Sequence, residues 1–432
     1  MKIVPYNNKK EFFKILDGFC KKGNAKNDIA ELVKDILAEV QKRGDAAVIE
    51  YTKKFDKSFL KAKDIKVQAS EIEESRKKIT PNDISAIKSA IREVKNFHKK
   101  TFPKSWTDFN NQGARIGERF YPINRVGLYI PGGNVPLVST VIMTAVLAKL
   151  AGCPEIVVCS PPNSNGEISK AILAALSLVG VTEIYKIGGI QAIAAMTYGT
   201  KTIKPVDKIY GPGNAYVMEA KRQVIGLVGI DLLPGPSELM IIADGNANPD
   251  WVAADLLAQA EHGSGKELLY MVSTSKTFLN KLKKSLSKAL GQIKHEKKCL
   301  KIISERTFYV SCNNIKEATI IANYVAPEHL ELQVADNLIS SLTKEIKTAG
   351  AILQGYNTPT ALGDFTAGPS HTLPTGRTGR FDSGLQLIDF MRRTSILRYN
   401  KKSLEKASPI VKTFANLEQL DAHGRSVEIR LD

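Results

Sequence analysis

A chain of 432 residues, 43% apolar and 24% charged, holds enough material for two or more domains with their own cores and has the composition of a soluble globular protein. Its 61 Lys and Arg against 44 Asp and Glu leave a formal charge of +17, which would suit a nucleic-acid binder were it gathered on one face. The excess is spread instead, with no zinc-finger spacing and no aromatic strand of the RNA-recognition type, so an enzymatic role is preferred and no nucleic-acid partner is expected.

Five cysteines, Cys20, Cys153, Cys159, Cys299 and Cys312, are scattered without a C-x-x-C pair, as expected of free thiols in a reducing cytoplasm. The start, MKIVPYNNKKEFF, lacks the apolar centre of a secretory signal, and no apolar stretch reaches bilayer-spanning length. A cytoplasmic protein without a membrane partner is therefore expected.

The first hundred or so residues are helical in pattern and strongly charged, for instance over 27–43 and 83–100, with a possible strand near Ile65 to Val67. Around Arg125 the texture changes to short apolar strands running into Gly/Pro turns: RVGLYIPGG, EIVVCSPP, EIYKIGG and VDKIYGPG. Helices rich in Ala, Leu and Val, over 139–150 and 171–178, lie between them. This alternation predicts a parallel sheet covered on both faces, with ligands beyond the carboxyl ends of its strands. No complete G-x-G-x-x-G follows a strand, and HGSGKE is not a P-loop. The turns at Tyr129 to Asn134, at Gly188-Gly189 before Gln191 and at Gly211 to Asn214 are singly just tight turns. Three on one sheet edge favour a nucleotide cleft.

Between Ile230 and His262 a Pro/Gly turn leads into a covered strand, Leu239 to Ala243, and a helix started by Asn248-Pro249. Gln259 and His262 stand one helical turn apart at its far end and face the same way. Taken alone they cap and solvate that end, because a zinc site wants about four ligands. The lysine-rich run 276–298 carries Phe278, Leu282, Leu286 and Leu290 at helical spacing, which predicts one amphipathic surface helix.

Further strands, ERTFYVSC and AGAILQG, predict a second α/β unit, completed by the helical N-terminal half. Glu328 and His329, after a proline-bent apolar segment, could activate water and take a proton from an alcohol, or simply bond locally. Asp364 and His371 lie in a Gly/Pro-rich loop, and Glu418 and His423 near the end of the chain. His98 and His295 fall in lysine-rich helices and read as surface residues. Cys153, in AGCPEIVV, reads as inert core.

Over nearly its whole length the chain resembles the histidinol dehydrogenases. The Ile230 to His262 segment is similar to the family's signature, and RVGLYIPGG, IYGPGNAYV, VAPEHLEL and GDFTAGPSHTLPTG follow in the family's order. Pro234 stands where Ala is usual, Phe365 where Tyr is usual, and Arg377 in a run often rich in Gly. The resemblance implies zinc held by Gln259, His262, Asp364 and His423, the last from the partner subunit of a homodimer. It implies substrate contacts from Ser237, His371 and Glu418, the last again from the partner, and from His329 and the zinc ligands themselves. It further implies an NAD site lined by Tyr129, Gln191 and Asn214, and Glu328 and His329 as the acid/base pair. The implied reaction takes L-histidinol, water and two NAD to L-histidine and two NADH through a bound aldehyde. Oxidation of another small polyol and zinc-dependent hydrolysis are the rival activities.

The fold expected is α/β, with two doubly wound, incompletely Rossmann-like domains, a helical N-terminal extension and a small C-terminal one. Residues 1–25 would form an arm, 26–128 with 238–380 the zinc and catalytic domain, 129–237 the NAD domain, and 381–432 a unit reaching the partner.

Overall fold

The computed structural model describes residues 2–22, 29–132, 136–262 and 265–432. The expected boundary between residues 25 and 26, the start of the 27–43 helix, Gly133-Asn134 of the first turn and Gly263-Ser264 lie outside the described residues.

The chain opens with β1 (Ile3–Pro5) and α1 (Lys9–Cys20), then runs through α2 (Ala30–Arg43), α3 (Asp45–Asp56), α4 (Ala69–Lys77) and α5 (Pro81–Lys99). Each helix buries a stripe at three- and four-residue spacing, such as Val33, Ile36, Leu37 and Val40 of α2. After β2 (Trp106–Phe109) and β3 (Arg115–Pro122) come β4 (Arg125–Tyr129), α6 (Val138–Ala151), β5 (Glu155–Ser160), α7 (Lys170–Val179), β6 (Glu183–Lys186), α8 (Gly189–Tyr198), β7 (Lys208–Tyr210), α9 (Ala215–Gln223) and β8 (Gly229–Ile230). Then follow β9 (Glu238–Ala243), α10 (Pro249–Ala260), β10 (Leu268–Ser273), α11 (Lys276–Leu290), α12 (Glu296–Glu305), β11 (Thr307–Ser311), α13 (Ile315–Val325), β12 (His329–Gln333), α14 (Asp336–Glu345), β13 (Ala351–Gln354) and α15 (Thr360–Phe365). The chain closes with β14 (Met391–Arg398), α16 (Lys401–Leu417) and α17 (Asp421–Glu428).

Two parallel sheets result, as the alternation predicts: a five-stranded one ordered β6-β5-β4-β7-β8 and a six-stranded one ordered β1-β11-β10-β9-β12-β13. Both faces are covered, and the two-residue period of a strand divides its side chains between two cores. In β9, Met240 and Ile242 enter one core while Leu239, Ile241 and Ala243 enter the other. In β5, Ile156 and Val158 part from Val157 and Cys159 in the same way.

Several expectations are corrected. Helices α2 to α5 pack on the five-stranded sheet, not on the six-stranded one with which residues 26–128 were grouped: Val33, Ile36 and Val40 share a core with Ile193 and Tyr185, and Ile91 and Val94 with Val126 and Leu128. Periodicity shows that a helix has an apolar face and leaves open which sheet receives it. The N-terminal arm is not only helical, since β1 pairs with β11 and Phe12, Leu16 and Phe19 pack into the six-stranded sheet's core. At Ile65 to Val67 there is a single antiparallel bridge, Lys66 to Tyr185, in place of a strand. The run 276–298 breaks at Leu290 into α11 and α12, although Phe278, Leu282, Leu286 and Leu290 are buried as expected. From the C-terminal segment, β14 pairs antiparallel along the whole of β3, which β2 flanks on the other side, making a third sheet. His98 is buried, with neither ring nitrogen hydrogen-bonded among the described residues, because its face of α5 turns inward with Ile91 and Val94. His295 is exposed and precedes α12.

Candidate active site

In the five-stranded sheet β4 is central, β5 and β6 lie to one side and β7 and β8 to the other, so the strand order reverses between β4 and β7. Chain leaving the carboxyl ends of those two strands flanks a crevice, the usual ligand position in such sheets. Tyr129 ends β4, and the Gly211 turn follows β7. The two approach so closely that a Cβ on Gly211, at φ +113°, would lie 2.1 Å from the Tyr129 carbonyl oxygen. Only glycine is compatible with that turn. Below it the buried Lys221 ammonium pairs with Asp231 and donates to the Gly211 carbonyl at 3.0 Å, while the Gly211 amide donates to Asp231 at 2.7 Å.

Gln191, on the first turn of α8, is fully buried; its amide donates to Asp56 at 3.4 Å while its Oε1 lacks a partner among the described residues. The Tyr129 hydroxyl accepts from the Gly189 amide at 3.1 Å, and burial pushes that phenol up to about 12. Asn214 is exposed, and its side-chain oxygen caps α9 by accepting from Tyr216 and Val217. Tyr129, Gln191 and Asn214 thus sit on one sheet edge, with Asn214 already engaged in a structural bond. Asp56, which the sequence reading missed, joins them from α3, its carboxyl lifted by burial to about 6.

A second cluster forms at the opposite kind of edge. Glu238 opens β9 and His329 opens β12, neighbouring strands, so both lie at the amino end of the six-stranded sheet. Helix α10 starts beyond the carboxyl end of β9 and runs back, which returns Gln259 and His262 toward the amino ends of the strands. Glu328 is buried and accepts from the Glu238 amide at 2.7 Å, and its Oε2 lies 3.7 Å from His329 Nδ1. On the other side of the ring, His329 Nε2 lies 3.8 Å from Asp364 of α15. Burial alone would depress this imidazole, but the nearby Glu328 carboxylate, and then Asp364, override it and raise it to about 9, although at 3.7 Å the Glu328 contact is an ion pair and not a hydrogen bond. His371 is held below its ordinary value by burial; Asp364 and Glu328 oppose this while His329 and His262 reinforce it, so these groups share one electrostatic neighbourhood.

Gln259 is buried with both side-chain polar atoms unpaired, and His371 Nε2 is likewise unpaired among the described residues. Buried amides rarely stay without partners unless a ligand supplies them. Ser237 is half-buried and immediately precedes Glu238. The structure therefore gathers Glu328, His329, Asp364, His371, His262 and Ser237 about one locale and presents Gln259 beside it on α10. Within the chain it does not bring in Glu418, exposed just past the end of α16, or His423, exposed on α17. Among the described residues no group of three or more His, Cys, Asp or Glu side chains gathers as a metal centre would need. The donor types of Gln259, His262 and Asp364 suit zinc, but the set is short of about four.

One further group, Glu238, escaped the sequence reading, and Arg377 stands out there only as a departure from the family. Burial and then Glu328 push the Glu238 carboxyl up to about 8, against the Gly376 and Glu328 amides. Its signal was a charge opening an otherwise apolar strand. Arg377 takes φ +70°, where glycine would be unstrained, and its guanidinium lies 4.4 Å from the Tyr324 ring centre and 2.9 Å from Asp17. Those contacts hold the loop that carries His371. Cys153 is buried at 3.6 Å from the Phe390 carbonyl, with its thiol raised to about 11 by burial, in keeping with inert core.

Two covered parallel sheets, one offering strand-end turns and the other a buried acid–base cluster, define an α/β enzyme of dehydrogenase-like construction. The family described as histidinol dehydrogenase matches residues 20–431. Histidinol dehydrogenase of Hydrogenovibrio crunogenus is 40% identical over 94% of this chain and 93% of its own, and that of Agrobacterium fabrum 42% identical over 95% and 94%. A crystal structure of histidinol dehydrogenase from Elizabethkingia anophelis, 35% identical, superposes with a TM-score of 0.94 over 100% of this chain and 98% of the other. The chain belongs to the histidinol dehydrogenase family and is an oxidoreductase.

Proposed function

We propose that the protein oxidises L-histidinol to L-histidine in two hydride transfers to NAD, through an aldehyde that stays bound, as the closing step of histidine biosynthesis in the cytoplasm. The observation that carries this reading is the buried Glu328–His329 pair with the half-buried Asp364 across the ring, at the mouth of β9 and β12, in a chain of this family. Among the described residues no helix is long and apolar enough to cross a membrane.

Gln259, His262 and Asp364, with His423 of a second copy, would hold zinc, which when bound supplies a Lewis-acidic template for the substrate's imidazole and amino group. NAD, when bound at the β4–β7 crevice by Tyr129, Gln191 and Asn214, supplies the acceptor for both hydrides. The unpaired Gln259 amide and the unpaired Gln191 Oε1 fit these two assignments. His329, when neutral, takes the alcohol proton as the first hydride leaves carbon, and Asp364, once its charge is offset by zinc, no longer helps to keep the imidazole protonated. Glu328 then deprotonates the water that adds to the aldehyde while His329 returns its proton to the former carbonyl oxygen, and His329, neutral again, takes a proton from the hydrate as the second hydride leaves. Ser237 and His371 orient the substrate, and Glu418 of the second copy neutralises its ammonium group.

Exposed Glu418 and His423, in a C-terminal segment of α16, α17 and their caps that also exposes Phe414, Leu417, Leu420 and Ile429, support a homodimer with shared sites. The decisive assay counts NADH per histidinol consumed, expected at two, alongside the metal content. Glu328→Gln should slow conversion of supplied histidinaldehyde more than oxidation of histidinol. Equal slowing of both steps would remove Glu328 from water activation, and turnover without NAD would point to a hydrolase.

A further inference from the structure

One set of buried groups just inside the cluster has no part in the chemistry above. Glu331 is fully buried on β12, and its Oε1 accepts from both the Thr360 amide at 2.7 Å and the Thr360 hydroxyl at 2.6 Å, while its Oε2 accepts from Gln333 at 3.4 Å. The Asp255 carboxyl of α10 meets the same Glu331 carboxyl. Two carboxyl groups form that bond only if one carries a proton. Burial raises both carboxyls, and the two Thr360 donors on Glu331, with Gln333, favour its ionised form, which leaves the shared proton on Asp255.

The three partners stand on three different elements, each a fixed step from a site residue. Asp255 is one helical turn before Gln259, and Thr360 one turn before Asp364, each step rising about 6 Å along its axis. Glu331 is two residues beyond His329, on the same side of the strand and about 6.6 Å away. Among the described residues, the Glu331 contacts are where α10, β12 and α15 meet through buried polar groups.

We propose that Asp255, Glu331 and Thr360 form a positioning brace that fixes Gln259, His329 and Asp364 relative to one another, so that loosening it loosens the metal and exposes His329 while the fold stays intact. The metal half of this statement rests on the function proposed above; the His329 half does not.

The test compares Asp255→Ala, which removes the bond, with Asp255→Asn, which keeps a donor toward Glu331, and with Thr360→Val, which removes the hydroxyl at nearly constant volume. Two readouts are taken on the full-length protein: zinc retained after dialysis against a mild chelator, and the rate at which diethyl pyrocarbonate labels His329 in metal-free protein. Asp255→Ala and Thr360→Val should weaken zinc retention about tenfold or more. They should also speed labelling severalfold at an unchanged fold by circular dichroism, and Asp255→Asn should restore both. Labelling and zinc retention unchanged in the folded variants would overturn the brace, as would Asp255→Asn failing as badly as Asp255→Ala. If Asp255→Ala does not fold, Thr360→Val gives the same reading. Wild-type protein that retains no zinc and reduces no NAD with histidinol would refute the functional reading, and the labelling series would then decide the brace alone.

Discussion

At the scale of single residues, the sites are built from polar groups that burial has moved away from their ordinary ionisation. Glu238 and Asp56 are raised by burial, His371 is lowered by it, and His329 is raised against it by two carboxylates. For Asp56 the sign gives a pH dependence. An unfolded aspartate titrates near about 3.9, and the folded one near about 6. Between these values the folded protein binds more protons than the unfolded, so this group's contribution to stability falls as pH rises through the window and is constant above it. Asp56→Asn removes that loss. The difference in melting temperature between variant and wild type should therefore move in the variant's favour from pH 4 to pH 7. An unchanged difference would contradict a buried, raised Asp56. Glu328, His329, Asp364 and His371 were legible in the sequence because acid and imidazole beside Gly/Pro turns stand out. Asp56, Asp255 and Glu331 were not, because one carboxylate in a helix or strand carries no local mark of the partner that will bury it.

At the scale of elements, the strands and helices around the crevice follow from alternation, caps and breakers. Asn248 with Pro249 starts α10, and Asn214 starts α9. Local pattern failed where a contact from afar decided the outcome: Ile65 to Val67 lies along β6 by one bridge, and α12 turns away after Gly291. The Gly211 turn is the element most sharply constrained, by a positive φ and the Tyr129 carbonyl together. Gly211→Ala should cost at least about 2 kcal/mol of stability, read by chemical denaturation. It should also raise the KM for NAD more than that for histidinol. A variant with wild-type stability would show that the turn relaxes freely.

At the scale of the whole molecule, the two sheets use opposite ends. The five-stranded sheet offers the carboxyl ends of β4 and β7, whereas the buried Glu328–His329 cluster lies at the amino ends of β9 and β12. Beyond the carboxyl ends of those two strands, Asp244 accepts from the Ala247 and Ala335 amides and the Tyr356 hydroxyl, which ties the loops there together. An open groove of about 530 Å³ on α14 and β13, lined by residues such as Asp336, Ile339 and Gln354, holds none of the expected site residues. Helices α16 and α17 bury only Ser403, Ala415 and Gly424. If a second copy covers them, Phe414→Asp with Leu417→Asp should shift the protein to monomer in sedimentation velocity and lower zinc content with it. Mixing His423→Asn with an inactive variant of a different site residue should restore part of the activity. Monomeric wild-type protein with full zinc would exclude shared sites.

The sequence by itself determined the α/β class, most strands and turns of the two parallel sheets, the family and most of the residues that cluster. Those are local patterns of period, cap and turn, or motifs held within a few residues of each other. Only the tertiary structure decided that α2 to α5 cover the five-stranded sheet, that β14 joins β3, that His98 is buried and that Asp255 meets Glu331. It also decided that Glu418 and His423 stay outside the cluster. Each is a contact between segments far apart in the chain, fixed by which surfaces bury each other, and an apolar or charged face in sequence does not name its partner.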